Sequence, residues 1–304
     1  MKAEEENMPA GPAPYLLVLL QGLLYGFGDP ISKEAYEVMP VYSLLSLRYL
    51  LALAVMLLFA GRRIAAGLRR CSPRDWLLPS LCMGGAYLSS NLALGMTAAT
   101  SVAFLRSLST VMTPLLALAV YRKTYSRRHI PIQLLVVLGL YLLCGRGGLS
   151  GFGAGEVFAL LAALLLAGSL VFGQAALGRT DPVTLSAVQT AVSAAMATVC
   201  APLFSGGWHL DAATPKIWLI IAYLAVGCTV SGYLLQNAAL KKLPARTVAL
   251  LQCACPVLTA FFSRLVLGER LSAAGMAGAA VILACVAAET LLREDPQKER
   301  TLSR

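Results

Sequence analysis

From residue 15 to residue 292, long apolar runs alternate with short polar breaks that carry proline, glycine or arginine. The runs can be measured against the roughly 20 residues that take a helix across a bilayer. Ten stand out, at 15–36, 43–60, 76–97, 100–121, 130–144, 155–177, 183–204, 216–239, 245–267 and 272–292. The fifth, with Pro131 at its start and Gly145 just past its end, is short, a mismatch that bundle neighbours and local thinning can absorb. The pattern predicts an all-α integral membrane protein with ten transmembrane helices.

Composition excludes the soluble alternative. The 304 residues are 58% hydrophobic and 13% charged, against about 25% charged for a soluble domain, and mean hydropathy is +0.72. The opening MKAEEENMPAGPAP is acidic and rich in Pro and Gly, unlike a basic secretory leader, so the first span reads as a retained anchor. A net charge of +10 would suit nucleic acid, but its placement suits a membrane. With a cytoplasmic N-terminus, 18 of the 25 basic residues fall in cytoplasmic loops and tails, including Arg62, Arg63, Arg69, Arg70 and Arg74. That is the positive-inside bias of a plasma-membrane (cell inner membrane) protein with both termini cytoplasmic. No nucleic-acid partner is expected. The cysteines are scattered and mostly within spans, which suits packing rather than metal binding.

A shift of 146 positions lays LGMTAATSVAFLRSLSTVMT on LKKLPARTVALLQCACPVLT without a gap, and about ten of 34 positions from Ala93 to Ser126 are identical. The natural units are two five-span halves, 15–144 and 155–292, joined by an outer linker at 145–154 and flanked by cytoplasmic tails at 1–14 and 293–304. Because five is odd, the fourth span runs inward and the ninth outward, so the halves are inverted about an axis in the membrane plane. Inverted repeats are the usual build of secondary transporters, whose site lies between the halves near mid-membrane. Duplication kept only for packing is the alternative.

The second span carries RYLLALAVMLL, the fourth TPLLALAVYRK, and the ninth closes on CPVLTAFFSRLVLGERLS, with Pro256 and the turn Gly268, Glu269, Arg270. In these pieces, their order and their spacing the chain resembles, over residues 12–292, the EamA-like transporters of the drug/metabolite transporter superfamily. The first half departs from it: Tyr121, Arg122 and Lys123 stand where Gly-Glu-Arg often recurs, and Pro114 lies four positions later than Pro256 predicts. The resemblance implies transport of amino acids and related metabolites, often exported.

Arg106 in SVAFLRSLSTVMTP is the first candidate for substrate binding. A mid-span Arg costs about 2.5 to 3.5 kcal/mol to insert and needs a partner or a wet cavity, unless it snorkels about 9 Å to the outer helix end. Its repeat equivalent is Gln252, which either faces the same cavity or ties helices together. A guanidinium opposite an amide would hold a carboxylate or phosphate. Tyr87 and Asn91 fall on Tyr233 and Asn237 under the same shift, with Gln236 adjacent, giving each half a Tyr/Asn face that lines a cavity or packs symmetrically.

In the first span, QGLLYGFGDPISKEAYE carries Tyr25, Asp29 and Pro30 as candidates for gating or proton coupling. Gly22 and Gly26 permit close helix approach. Gly26, Gly28 and Pro30 predict a broken helix with Asp29 as N-cap of a second piece; alternatively Asp29 only caps, or pairs with Lys33. Arg48 and Arg264 are expected at the outer interface by snorkelling. No ATP loop of the Gly-Lys-Ser/Thr kind and no deep carboxylate pair is present, so a gradient, exchange or facilitated diffusion would drive transport, without a cofactor.

The expected function is therefore a secondary transporter of small polar metabolites working by alternating access, and not an enzyme. Its partners are a small-molecule substrate and the lipid bilayer, with homodimerisation open. The rival readings are a non-transporting membrane scaffold and a membrane-embedded lipid-modifying enzyme.

Overall fold

The computed structural model describes residues 12–97, 99–121, 130–144, 153–267 and 272–291. The Gly268–Arg270 turn, Arg122 and Lys123, the C-terminal tail and most of the 145–154 linker lie outside the described residues. The described regular structure is helical: α1 Ala13–Tyr36, α2 Val41–Leu68, α3 Pro73–Met96, α4 Ala99–Ser107, α5 Ser109–Tyr121, α6 Ile130–Cys144, α7 Ala154–Ala176 and α8 Pro182–Ser205. There follow α9 Pro215–Tyr223, a π-helical segment Leu224–Ser231, α10 Gly232–Leu240, α11 Ala245–Leu251, α12 Ala254–Leu267 and α13 Ala273–Leu291.

Helix starts follow local chemistry. Ser72 donates its amide to Asp75 at 3.0 Å, closing the first turn of α3, and Pro73 occupies a position whose amide would be unused. Asp181 accepts from the Val183 and Thr184 amides to cap α8, again with Pro at the first turn. At the other end of α8, Gly206 adopts φ 71°, the left-handed turn that glycine enters without a Cβ clash.

Among the described residues, six helical stretches are long and apolar enough to cross a membrane, and two shorter apolar helices fall at 130–142 and 273–288. The 24-residue helices α1 and α3 stand outside that set. Both carry polar side chains in mid-length: Gln21 and Asp29 on α1, Ser90 and Asn91 on α3. On α1 the apolar Leu16, Leu20 and Leu23 face outward, whereas Gln21 is fully buried, so the helix turns its polar stripe inward and its leucines toward lipid.

The proline in α1 does not break it. The helix is continuous from Ala13 to Tyr36 with Pro30 inside, contrary to the two-piece reading. Neighbouring elements pack closely against it. A Cβ on Gly26 would lie 2.6 Å from Leu258 Cβ, and one on Gly28 would lie 2.5 Å from Cys228 Sγ, so both glycines mark close approach of α12 and of the π segment. Packing of this kind within a bundle lets proline stand inside buried membrane helices.

The packing pairs are α3 with α7 and α8, α2 with α8 and the π segment, α6 with α13, α1 with α12, α10 and the π segment, and α4 and α5 with α7. The two sequence halves are thus interleaved. The crossing of α1, α3, α4, α11 and α12 carries the polar groups described next.

Candidate functional site

Two helices are interrupted where the repeat places Arg106 and Gln252. Between α4 and α5, Leu108 sits in a tight turn whose amide bonds the Leu105 carbonyl at 3.1 Å. Pro114 then lacks the amide that would bond the Thr110 carbonyl, and Gln133 of α6 donates to that carbonyl instead, at 3.1 Å. Between α11 and α12, the Gln252 carbonyl cannot bond Pro256 and accepts from the Cys255 amide at 2.9 Å. Each break lies one to two turns before a proline, and each ends a short helix with a polar side chain.

Those side chains meet. Arg106 and Gln252 line one cavity together with Gln21 and Tyr25 of α1 and Tyr87 and Ser90 of α3. Its volume, counted over positions that a water centre can take, is about 40 Å³, room for about three waters. The surrounding wall is otherwise apolar or small: Ala86, Ala162, Leu166 and Ala249.

Arg106 is not snorkelling. Its Nη2 donates to Asp29 Oδ2 at 2.8 Å and its Nη1 to Ser90 Oγ at 3.3 Å, and Thr259 Oγ1 donates to the same Asp29 oxygen at 3.4 Å. The two charged side chains are 16% and 17% exposed, so the pair is largely shielded but reachable. Asp29 thus neither opens a second helix nor relies on Lys33; its partner comes from α4. Pro30 is buried beside it.

An amide cluster closes the other side. Gln21 Nε2 and Gln252 Nε2 both donate to Gln236 Oε1 at 2.9 Å, and Gln252 also reaches Gln21 Oε1 at 3.2 Å. Gln252 Oε1 is buried without a hydrogen-bond partner, an acceptor left over beside the cavity. The 146-residue shift carries Ser90 onto Gln236, so the Arg106–Ser90 contact of one half recurs as Gln252–Gln236 in the other.

The tyrosines form a chain that leads away from the cavity wall: Tyr25 meets Tyr87 edge-on at 5.9 Å, Tyr87 meets Tyr233 at 5.5 Å, and the Tyr233 and Tyr49 hydroxyls lie 3.3 Å apart. The two asparagines diverge. Asn91 accepts from the Tyr36 hydroxyl at 2.6 Å and donates to the Tyr87 carbonyl at 2.7 Å. Asn237, fully buried, donates to Ser186 Oγ at 2.9 Å and Gln189 Oε1 at 2.7 Å, both on α8.

Arg48 departs from its expected place at the interface. It is 4% exposed, and its Nε donates at 2.8 Å to Thr229 Oγ1 in the π segment. The physical reason is distance: Arg48 sits seven residues into α2, about 10 Å from the helix start, and α2 packs there on the π segment. Arg264, by contrast, is exposed near the end of α12. Gln21 is the residue that reading the sequence missed; it shares a helical face with Tyr25 and Asp29 at four-residue spacing, a signal available in the sequence.

The sequence profile of the EamA-like transporter family matches residues 13–145 and 153–288. An uncharacterized transporter of Archaeoglobus fulgidus is 24% identical over 267 residues, covering 88% of this chain and 82% of that protein. The uncharacterized transporter YcbK of Bacillus subtilis is 33% identical over 156 residues, about half of each chain. A solved crystal structure superposes with a TM-score of 0.77 at 19% identity, covering 93% of this chain and 98% of the other, which establishes likeness of fold.

Proposed function

The chain belongs to the EamA-like transporter family of multi-pass membrane proteins, and on that premise we propose that it is a secondary transporter for small metabolites bearing a carboxylate. The observation that carries this reading is the cavity bounded by Arg106 from the first half and Gln252 from the second. The Arg106 fork takes the carboxylate, and the unbonded Gln252 Oε1 accepts from an amine or amide of the same molecule. Tyr25 and Tyr87 supply the flanking aromatic walls. Amino acids and their relatives fit that pair of handles, in keeping with the notion of metabolite export.

We assign the architecture as ten helices in two inverted five-helix halves, with both termini cytoplasmic in the plasma membrane. Three chain segments would each be one span across a break: α4 with α5, α9 with the π segment and α10, and α11 with α12. The packing supports this: exchanging the halves converts the α3–α7 contact into α10–α1 and the α1–α12 contact into α7 with α4 and α5, and returns α2–α8 and α6–α13 to themselves. A space for about three waters is too small for a metabolite, so substrate enters as the halves rock apart, which is alternating access.

The test is solute flux in liposomes carrying the purified protein, with substrates first chosen by thermal-shift screening, since a ligand of the folded state raises its stability. Arg106→Gln should weaken binding of a carboxylate substrate by roughly 10- to 100-fold, the scale of a charged hydrogen bond of about 1.5–3 kcal/mol. Unchanged transport at equal folded protein removes Arg106 from the site. Tight binding of a protein partner without flux would instead favour a scaffold.

A further inference from the structure

We infer that Asp29 is a proton-linked stand-in for the substrate: a carboxylate ligand takes the Arg106 guanidinium from it, and Asp29 takes up one proton in exchange. This rests on the reading that Arg106 holds the substrate carboxylate. The geometry sets the two events in competition. Asp29 Oδ2 already holds Arg106 Nη2 at 2.8 Å, while Nη1 holds Ser90 at 3.3 Å, so an incoming carboxylate that engages Nη1 and Nη2 competes with Asp29 for the guanidinium.

Displacement leaves Asp29 with weak company. The groups around it are the Arg106 guanidinium from α4, the Cys255 thiol and Thr259 hydroxyl from α12, the Cys228 thiol from the π segment and the Tyr36 phenol on its own helix. Tyr87 of α3 interacts electrostatically with Arg106, and Arg48 of α2 with Cys228 and Tyr36. Among these described groups Asp29 is the one carboxylate, and thiols and phenols in ordinary solution ionise above neutrality. Two carboxylates sharing one guanidinium in a shielded site is costly, and a proton on the displaced carboxyl removes the excess charge.

The balance is one proton per ligand carboxylate. The proton comes from water on the side of entry, resides on the Asp29 carboxyl while the ligand is bound, and returns to water on the side of release when Arg106 and Asp29 re-pair. Proton and carboxylate therefore move together, and a monoanion is carried without net charge.

The experiment is infrared spectroscopy of the full chain in lipid nanodiscs at pH 7, following the band of a protonated carboxyl. Its first arm needs no ligand. Arg106→Gln should show the band, Asp29→Asn in the same background should remove it, and Arg106→Lys, which keeps the charge, should lack it; an ionised Asp29 in Arg106→Gln overturns the inference. In the second arm propionate is the probe, added to the unaltered protein, so that a poorly folded variant does not decide the matter. Propionate should raise the same band, a pH dye should report one proton taken up per propionate bound, and affinity should rise about tenfold per unit fall in pH, a dependence lost in Asp29→Asn. Propionate binding without proton uptake overturns the inference, and should propionate fail to bind, the first arm decides. Absence of solute flux with these signals intact defeats the transport reading alone, whereas flux with Asp29 ionised throughout defeats this inference alone.

Discussion

Nη2 of Arg106 and Oδ2 of Asp29 lie 2.8 Å apart, joining two helices across 77 residues of chain at sites 16% and 17% exposed. Removing one partner of such a pair leaves an uncompensated charge, a change on the order of 3–5 kcal/mol when burial is complete and less at this exposure. Asp29→Asn and Arg106→Gln should each lower the melting temperature in detergent. The double variant should lose less than the sum, with a coupling of roughly 1–3 kcal/mol. Strict additivity would mean that the contact contributes nothing to stability.

Close approach of α1 and α12 depends on Gly26. An added Cβ would meet the Leu258 side chain at 2.6 Å and its backbone at 3.0 Å, whereas at Gly61 of α2 nothing lies within 4 Å. Gly26→Ala is expected to destabilise by about 1–3 kcal/mol through overpacking. Gly61→Ala should be neutral or gain up to about 1 kcal/mol from helix propensity. Paired thermal melts check the contrast, and equal effects would refute it.

Asn237 is committed to α8 through Ser186 and Gln189. Asn237→Ala should lower stability by roughly 0.6–2 kcal/mol, the range for interhelical hydrogen bonds in membranes. An unchanged melting temperature with a weakened substrate affinity would instead assign Asn237 to binding.

The Asp181 cap links one end of the bundle to pH. Burial acts to raise its carboxyl, but hydrogen bonds from the Thr184 hydroxyl and amide and from the Val183 amide, together with the Arg63 charge, outweigh it and hold the group below its ordinary value. A depressed carboxyl contributes stability that is present above the unfolded value near 3.9 and is lost as pH falls through the lower folded value. Melting of the wild type relative to Asp181→Asn should therefore converge below about pH 4, and Asp181→Ala at pH 7 should cost about 1 kcal/mol as a lost N-cap. A constant difference across that range would exclude Asp181 as the titrating group.

Reading the sequence alone recovered the helical membrane architecture and the family, and set Arg106 and Gln252 at equivalent positions of a repeat, because a bilayer demands long apolar runs and a repeat shift aligns the residues that interrupt them. Those signals are local or linear. It reads Tyr87 as facing a cavity and Tyr25 as a candidate for gating or proton coupling; both line the cavity. What the tertiary structure decided was partnership: Asp29 with Arg106, Asn237 with α8, Arg48 with Thr229, and Pro30 inside an unbroken α1. Each depends on which helix lies across from the residue. A proline's missing amide or a buried charge is favourable or not according to groups on other helices, 77 residues away for Asp29 and Arg106 and 181 for Arg48 and Thr229, and no period or propensity within one span encodes their distance.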